Sequence, residues 1–250
     1  MSRLSEFLSV VRAQFPADRL TLQNQVPVFH PESTEEAADL FRLANQHRQP
    51  LFIAGFSNNI VPSGEKFEGL VTVRTDRLNQ LLEINSKDLY VRVGAGFPLG
   101  EINLSLRERN LFVPHANLPY PGSVGGALAV GLTAELGGHD LPLKKFFLKA
   151  DIVTPVGEII SPGSVCFKST SGYDVVKLFA RSWGLLGLIA TATLRTVPAS
   201  AADEYESMHQ KAIEREHFLA GLAESNAAAD AVYSRKVKVK FDPAGVLPII

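Results

Sequence analysis

Residues 120–129 read Tyr-Pro-Gly-Ser-Val-Gly-Gly-Ala-Leu-Ala, and this stretch decides how the rest of the chain is interpreted. It sets Gly122, Gly125 and Gly126 around one hydroxyl, Ser123, and then becomes apolar. A glycine inside a regular element costs about 0.5–1 kcal/mol relative to alanine, so this composition does not serve helix or strand stability. Bare N–H groups in a turn that leads into a small-residue helix suit phosphate oxygens. A tight turn that lets a helix pack closely explains the same residues equally well.

The composition of the chain limits the classes of function. With 250 residues it can bury a full core, and its formal net charge of −1 does not favour a nucleic acid or a membrane surface as partner. The single cysteine, Cys166, excludes an internal disulfide and an iron–sulfur cluster held by this chain alone. The apolar run at 185–194 is too short to span a bilayer, and no charged-then-apolar leader precedes Pro16. We therefore expect a cytoplasmic protein that reaches a membrane, if at all, through a partner.

The first half of the chain predicts a mixture of helices and strands. Apolar spacing predicts a helix over residues 3–15, and Ser33 with Glu36 has the spacing of a capping box that starts a second helix. Strands are expected at 51–54, 69–73 and 89–93, with a helix after Pro98. The loop at 55–60, rich in small and amide residues, either points donors outward or is a plain turn between strands.

The second half predicts a hairpin over 148–160, a short helix at 173–179 and a half-buried strand at 188–197. Residues 199–234 are helical in character. The alternation of Lys236 to Phe241 predicts an exposed strand, whose lysines indicate either an anionic partner or an edge protected by charge. The glycine stretch falls at the junction between these two halves.

Several of these stretches occur in the order that marks a known family. They are the loop at 55–60, Val91-Arg-Val-Gly-Ala-Gly96, Pro121-Gly-Ser-Val-Gly-Gly-Ala127, Gly172-Tyr-Asp174, Gly184-Leu-Leu-Gly187 and Phe241-Asp-Pro-Ala-Gly245. Together they resemble the FAD-binding domain of the vanillyl-alcohol-oxidase type, also called the PCMH-type domain. The resemblance is strongest to FAD-linked glycolate oxidase subunits and D-lactate dehydrogenases.

The resemblance implies an α+β fold with two α/β lobes, FAD between them and only a vestigial cap. Residues 1–198 would form the FAD-binding domain, with lobes at about 20–114 and 115–198. Residues 199–234 would be a short helical remnant of the cap, and residues 235–250 a strand or tail that returns to the FAD domain. Relatives carry a longer substrate-binding cap between the landmarks that correspond to Pro198 and Asp242.

The resemblance also implies the cofactor site. Backbone amides of the two glycine-containing loops would approach the pyrophosphate, and the segment around residue 187 would lie near the flavin or adenine. The cofactor-binding residues so implied are Ala54, Gly55, Phe56, Ser57, Asn58, Asn59, Pro121, Gly122, Ser123, Gly125, Gly126, Tyr173, Gly184, Gly187, Leu188 and Ile189.

Two departures from the family pattern affect this prediction. Asn58 stands where covalent members carry the flavin-linking histidine, so we expect FAD to be noncovalent. Arg181 and Trp183 are bulkier than the residues of related dehydrogenases at the corresponding run. The loop Ser57-Asn58 also resembles that of UDP-N-acetylenolpyruvoylglucosamine reductase, whose third domain has no counterpart here.

The catalytic residues are not identified by the sequence. His139 follows Gly137-Gly138, which we interpret as close packing near the site, and Tyr173 lies in a stretch that is near the flavin in relatives. A structural role competes with a catalytic one for both residues, as it does for His115. No metal site is expected, because the spacing of His209 and His217 does not suit a shared metal ion.

Two functions remain open. The first is an FAD-dependent oxidoreductase subunit that moves electrons from a small 2-hydroxy acid through flavin to a partner. The second is a noncatalytic flavin-binding or assembly module. In either case the short cap predicts a partner subunit or a homo-oligomer. A partner could dock on the apolar residues of the segment 199–234, namely Ile213, Phe218, Leu219 and Leu222.

Overall fold

The computed structural model describes residues 2–165, 174–223, 226 and 228–250. Helices and strands alternate along the first two thirds of the chain. The helices are α1 (Arg3–Gln14), α2 (Thr34–His47), α3 (Ile102–Leu106), α4 (Val124–Val130), α5 (Arg215–Leu222) and α6 (Ala229–Phe241). The strands are β1 (Leu20–Gln23), β2 (Val26–Phe29), β3 (Leu51–Ala54), β4 (Val71–Arg74), β5 (Leu81–Asn85), β6 (Tyr90–Gly94), β7 (Leu111–Phe112), β8 (Thr133–Leu136), β9 (His139–Pro142), β10 (Phe147–Val153), β11 (Ile159–Ile160), β12 (Leu188–Arg195), β13 (Val197–Pro198) and β14 (His209–Gln210).

The first sheet has the strand order β1-β2-β4-β3, in which β2, β4 and β3 are parallel and β1 is antiparallel to β2. Helix α2 connects β2 to β3 and begins where Ser33 Oγ accepts a hydrogen bond of 3.0 Å from the N–H of Glu36. The capping interaction predicted from the sequence is thereby confirmed. The core of this sheet is formed with α1 and α2 by Phe7, Phe29, Phe41 and Leu51, among others.

The second sheet has the order β11-β10-β12-β6-β5 and is antiparallel throughout. Strand β12 is buried along its whole length except at Arg195, so the prediction of a half-buried strand is wrong. The reason is that Leu188 and Ala190 pack into the core of the first sheet, whereas Ile189 and Ala192 pack into the core that contains α3 and α4. The second sheet therefore lies between two cores.

Strands β5 and β6 pair in the second sheet, although residues 20–114 were expected to form the first lobe. The chain crosses between the sheets after β4, close to residue 80. Sequence order does not reveal this crossing, because strand pairing depends on partners distant in sequence. The division of the chain into domains stays a prediction.

The C-terminal segment contradicts the predicted strand at 236–241, because these residues belong to α6. The alternation of lysine and valine has the period of a strand, but in the structure this segment continues the helix that starts at Ala229. Tyr233 and Val239 remain exposed on that helix. Within the described residues, no helix has the length and apolar content needed to cross a membrane.

The tail after α6 is attached to the first sheet through Asp242, whose side chain is fully buried. Its two carboxylate oxygens accept 2.8 Å hydrogen bonds from the N–H groups of Val246 and Leu247, and Lys238 pairs with it from one turn earlier. The carbonyl of Val246 then accepts a 2.7 Å hydrogen bond from the N–H of Leu51 at the start of β3. The Asp-Pro-Ala-Gly sequence thus has a structural role in closing the first sheet.

We predict that Asp242→Ala lowers the free energy of unfolding by about 2–4 kcal/mol, because it leaves two N–H groups and the Lys238 ammonium without their buried partner. Urea denaturation followed by circular dichroism measures the loss. The matched control is Asp203→Ala, which removes an exposed carboxylate. A loss below about 1 kcal/mol would contradict the role of Asp242 as the attachment of the tail.

Candidate functional site

A cleft of about 480 Å³ lies between the loops that follow β3 and precede α4. Its volume falls in the range of small-molecule and cofactor sites. Most of the sequence-implied cofactor residues meet in its wall, namely Ala54, Gly55, Phe56, Ser57, Asn58, Asn59, Pro121, Gly122, Ser123, Gly125, Gly126, Gly184, Gly187 and Ile189. Leu188 is fully buried in the core of the first sheet and is not part of the wall. Tyr173 lies outside the described residues, as does Cys166.

The loop after β3 contains backbone N–H groups without a hydrogen-bond partner among the described residues. In the described part of the chain, no hydrogen bond engages the N–H groups of Phe56, Ser57, Asn58 or Asn59. Ser57 has a φ of 62°, a left-handed conformation that reverses the direction of the backbone there. Consecutive amides in such a turn form a concave surface that attracts anions.

The loop before α4 lies beside the loop after β3 in the wall of the cleft. Gly122 has a φ of 70°, which glycine adopts without the strain that a side chain would add. A β-carbon at Gly122 would have the Asn58 amide nitrogen as its nearest neighbour, at 3.8 Å. The space beside Gly122 is therefore open toward the other loop and fits a ligand that runs between the two.

The remaining glycines of this stretch serve packing more than ligand contact. The N–H of Gly125 donates a 2.7 Å hydrogen bond to the carbonyl of Ala95, and the N–H of Gly126 donates to Ser123 Oγ at 3.2 Å. A β-carbon on Gly125 would stand 2.6 Å from that of Ala95. The sequence suggested a run of free amides here, but the structure uses both N–H groups internally because α4 packs closely on the end of β6.

The two loops also contact each other directly. A β-carbon on Gly55 would lie 2.5 Å from Ser123 Oγ and 3.5 Å from the Cα of Gly126. The absence of a side chain at Gly55 thus allows Ser123 to cap α4 while the first loop passes beside it. This contact fixes the distance between the two walls of the cleft.

A third wall comes from the segment that precedes β12. The indole of Trp183 packs against Phe218 of α5, with ring centroids 6.0 Å apart, and Trp183 also lines the cleft. The side chain of Arg181 instead covers Gly131, and the N–H of Arg181 donates to the carbonyl of Leu128 at 2.9 Å. Of the two bulky residues noted in the sequence, only Trp183 therefore borders the cleft.

Several wall residues were not among the cofactor-binding residues implied by the sequence, and two of them come from the stretch after β13. They are Phe52, Ile53, Ile60, Thr75, Tyr120, Ala127, Ala129, Val130, Leu132, Ser182, Trp183, Gln210 and Ile213. Gln210 and Ile213 carry no motif, and a pairing of β14 with β8 brings them to the cleft. Ile213 lines the cleft, Phe218 contacts Trp183 and Leu222 is buried. These three side chains pack within the chain, which contradicts the prediction that they form a face for docking a partner.

The described wall of the cleft contains no Asp, Glu, Lys, Arg or His side chain. Its polar groups are backbone amides, hydroxyls and carboxamides. Such a wall can bind a polar ligand by hydrogen bonds, but it offers no group that exchanges a proton near neutral pH.

Neither histidine candidate lies in this wall. His139 is exposed at the start of β9, and β-carbons on Gly137 and Gly138 would meet no atom within 4 Å. The glycine pair therefore forms an open hairpin turn, which corrects the inference of close packing. His115 is fully buried, with a 2.8 Å hydrogen bond between Nε2 and the carbonyl of Leu141. Burial lowers the pKa of His115, so the ring is a neutral part of the core.

Curated relatives of this chain include a dehydrogenase and a subunit of an oxidase. The chain is 28% identical over 174 residues to the D-lactate dehydrogenase of Anaerostipes hadrus. The aligned residues cover 67% of this chain and 35% of the relative. It is 27% identical over 176 residues to the glycolate oxidase subunit GlcD of Bacillus subtilis (strain 168), covering 68% of this chain and 37% of the relative. The chain thus spans little more than a third of the length of these relatives.

Solved structures agree on the fold. An alkyldihydroxyacetonephosphate synthase superposes with a TM-score of 0.62 at 20% sequence identity, covering 78% of this chain and 40% of that protein. At this identity the likeness concerns the fold alone.

A family model described as an FAD binding domain matches residues 27–162. This range contains both loops of the cleft and more than half of the 250 residues. The resemblance inferred from the ordered motifs is confirmed, and the chain belongs to the family of PCMH-type FAD binding domains.

Proposed function

We propose that this chain binds FAD noncovalently in the cleft and serves as the flavin-binding subunit of an oxidoreductase. The observation that carries the proposal is the set of backbone N–H groups at residues 56–59 that have no hydrogen-bond partner among the described residues, in a loop that lines the same cleft as Gly122. The pyrophosphate of FAD is an anion that such amides can bind without a cationic side chain. The apolar residues of the wall, among them Ile53, Trp183 and Ile189, suit the flat rings of the dinucleotide.

A covalent histidyl link is not available at the loop. Asn58 occupies the corresponding position, and its carboxamide lies beside Gly122. A carboxamide nitrogen is a hydrogen-bond donor and a poor nucleophile, so the loop can hold FAD only through reversible contacts.

Bound FAD would supply the redox chemistry, accepting two electrons from a substrate carbon. The residues of this chain would bind and orient the cofactor, and Trp183, Ile189 and Ile213 would keep water from part of it. The described wall of the cleft supplies neither a base to take the hydroxyl proton of an alcohol nor a cation to hold a carboxylate. For a small 2-hydroxy acid as substrate, we infer that a partner supplies both groups.

This division of roles supports a complex or a homo-oligomer as the working form. GlcD is by its name a subunit of glycolate oxidase. We propose that a partner of this chain covers the reactive face of the flavin, contributes the acid–base groups and passes electrons on. A cytoplasmic location, with membrane contact only through that partner, fits the same arrangement.

The uncharged cleft also favours a second candidate function. A chain that binds FAD and has no proton-transfer group could deliver or store flavin, or stabilise an assembly, without turnover of its own. Reconstitution with co-purified subunits separates the two: flavin reduction by a 2-hydroxy acid in the complex supports the oxidoreductase, and its absence supports the module.

We expect the purified protein to be yellow and to release its flavin on acid precipitation, because only reversible contacts hold it. The measurement is the absorbance spectrum of the supernatant and of the washed pellet. Flavin that stays with the pellet would contradict noncovalent binding.

The substitution Gly126→Val tests whether the space between the two loops of the cleft holds FAD. A branched side chain there projects beside Ser123 Oγ, 2.9 Å from the new β-carbon, and narrows the space between the loops. We predict the loss of FAD binding in a folded protein whose stability falls by about 1–3 kcal/mol. Fluorescence titration with FAD and a denaturation curve measure the two effects.

Two glycine variants serve as controls for this test. Gly125→Ala forces a contact with Ala95 and should lower stability without reaching the ligand. Gly221→Ala lies in helix α5 and meets open space, so it should leave FAD binding unchanged and raise stability by about 0.5–1 kcal/mol. If Gly126→Val retains full FAD occupancy, the stretch is a packing turn and the assignment of the cleft fails.

The isolated chain should show negligible oxidation of glycolate or D-lactate with artificial electron acceptors, even when saturated with FAD. The reason is that orientation and proton removal, which lower the barrier by several kcal/mol, need charged and acid–base groups that the described wall of the cleft does not contain. A spectrophotometric dye-reduction assay on a verified monomer checks this. Robust turnover by the monomer would refute the requirement for a partner.

A further inference from the structure

Residues 209–214, here called the crossing segment, run along the rim of the cleft and are held at both ends. At the first end, His209 and Gln210 pair with Glu135 and Ala134 of β8, and the N–H of Lys211 donates to the carbonyl of Thr133 at 2.9 Å. This backbone pairing fixes which side chains turn toward the cleft.

The second end of the crossing segment leads into α5, which is attached to the third wall and to the tail. Phe218 packs on the ring of Trp183, and the guanidinium of Arg215 donates to the carbonyl of Ile250. Since both ends are anchored, Gln210 and Ile213 of the crossing segment form part of the wall.

The orientation of the Gln210 side chain follows from one hydrogen bond. Its Oε1 accepts from the backbone N–H of Tyr120 at 3.3 Å. An N–H can only donate, so the oxygen must face Tyr120 and the Nε2 group must point elsewhere. Among the described residues, Nε2 has no hydrogen-bond partner, and the residue is half-buried in the wall.

Three other polar side chains of the wall are already engaged in hydrogen bonds within the protein. Ser123 Oγ accepts from Gly126, Ser182 Oγ donates to the carbonyl of Phe179 at 2.8 Å, and the Thr75 hydroxyl donates to the carbonyl of Ala54 at 3.4 Å. Gln210 thus offers a donor in the cleft wall whose orientation is set by the hydrogen bond of Oε1 with Tyr120. FAD carries hydrogen-bond acceptors along its whole length, on the pyrophosphate, the ribityl chain and the flavin ring.

We propose that Gln210 is a positioning residue for the cofactor, donating a hydrogen bond from Nε2 to an acceptor of FAD while Oε1 stays on the N–H of Tyr120. This inference rests on the proposed function, in that FAD occupies the cleft. In this proposal the crossing segment has a role in cofactor binding. The side chain of Gln210 makes a contact with FAD at the rim of the cleft, where relatives have a longer cap.

Fluorescence titration of the apoprotein with FAD tests the proposal in Gln210→Ala and Gln210→Met. Both variants remove the donor, and methionine keeps the length of the side chain without adding charge. We expect the Kd for FAD to rise about five- to tenfold in each, the size of one neutral hydrogen bond. His209→Ala, at an exposed position on the same strand, is the matched control and should leave the Kd unchanged.

A second readout separates contact with FAD from support of the crossing segment. Lys211 and Arg215 are trypsin sites within and beside that segment, so its loosening in the apoprotein would speed cleavage there. The proposal requires a raised Kd with unchanged cleavage of the apoprotein. A shift in the visible flavin bands would place the contact on the ring, and an unshifted spectrum would place it on the ribityl or pyrophosphate part.

Three results would overturn the proposal. A Kd in both variants within twofold of the unaltered protein shows that Nε2 does not contact FAD. A raised Kd accompanied by faster cleavage of the apoprotein shows that Gln210 only anchors the crossing segment. If the unaltered chain itself does not bind FAD, the proposed function fails together with this inference.

Discussion

The structure depends on one close crossing of backbones between the two sheets. A β-carbon on Gly96 would stand 1.9 Å from the carbonyl oxygen of Thr75, and one on Gly94 would stand 2.1 Å from that of Leu78. The N–H of Gly96 donates to the carbonyl of Leu78 at 2.8 Å across this crossing. Any side chain here would separate the sheets, so these glycines set the geometry from which the cleft follows.

The same crossing positions the loops that form the cleft. Ala95, between the two glycines, accepts a hydrogen bond from Gly125 at the start of α4 and donates one of 2.9 Å to Ala190 of β12. Helix α4 is thereby fixed on the second sheet, while the loop after β3 belongs to the first. Among the described residues, the cleft between them is lined by groups that bind without charge, so it can hold a polar ligand through hydrogen bonds alone.

Much of this was predictable from local sequence. The order of the glycine motifs indicated the fold, and the structure brings the loop at 55–60 together with Gly122 and Ser123 at one cleft. Their role in binding the cofactor stays a prediction. These features follow from residue types that tolerate few alternatives, such as a capping serine or a glycine with positive φ.

What the sequence did not reveal depends on contacts between distant residues. Nothing local distinguishes Gly125, which packs on Ala95, from Gly122, which borders open space. The pairing of β14 with β8, which brings Gln210 to the cleft, is short and has no motif. The strand predicted at 236–241 formed a helix because period-two alternation requires a neighbouring strand to stabilise it, and in the structure this segment pairs with none.

Hydrogen exchange of the chain with and without FAD tests most directly whether the cleft binds the dinucleotide through its free amides. We predict that FAD slows exchange of the N–H groups of residues 56–59, which have no hydrogen-bond partner among the described residues. The N–H of Gly125, which already donates to the carbonyl of Ala95, should change little. FAD binding that leaves exchange at residues 56–59 unaltered would contradict this prediction.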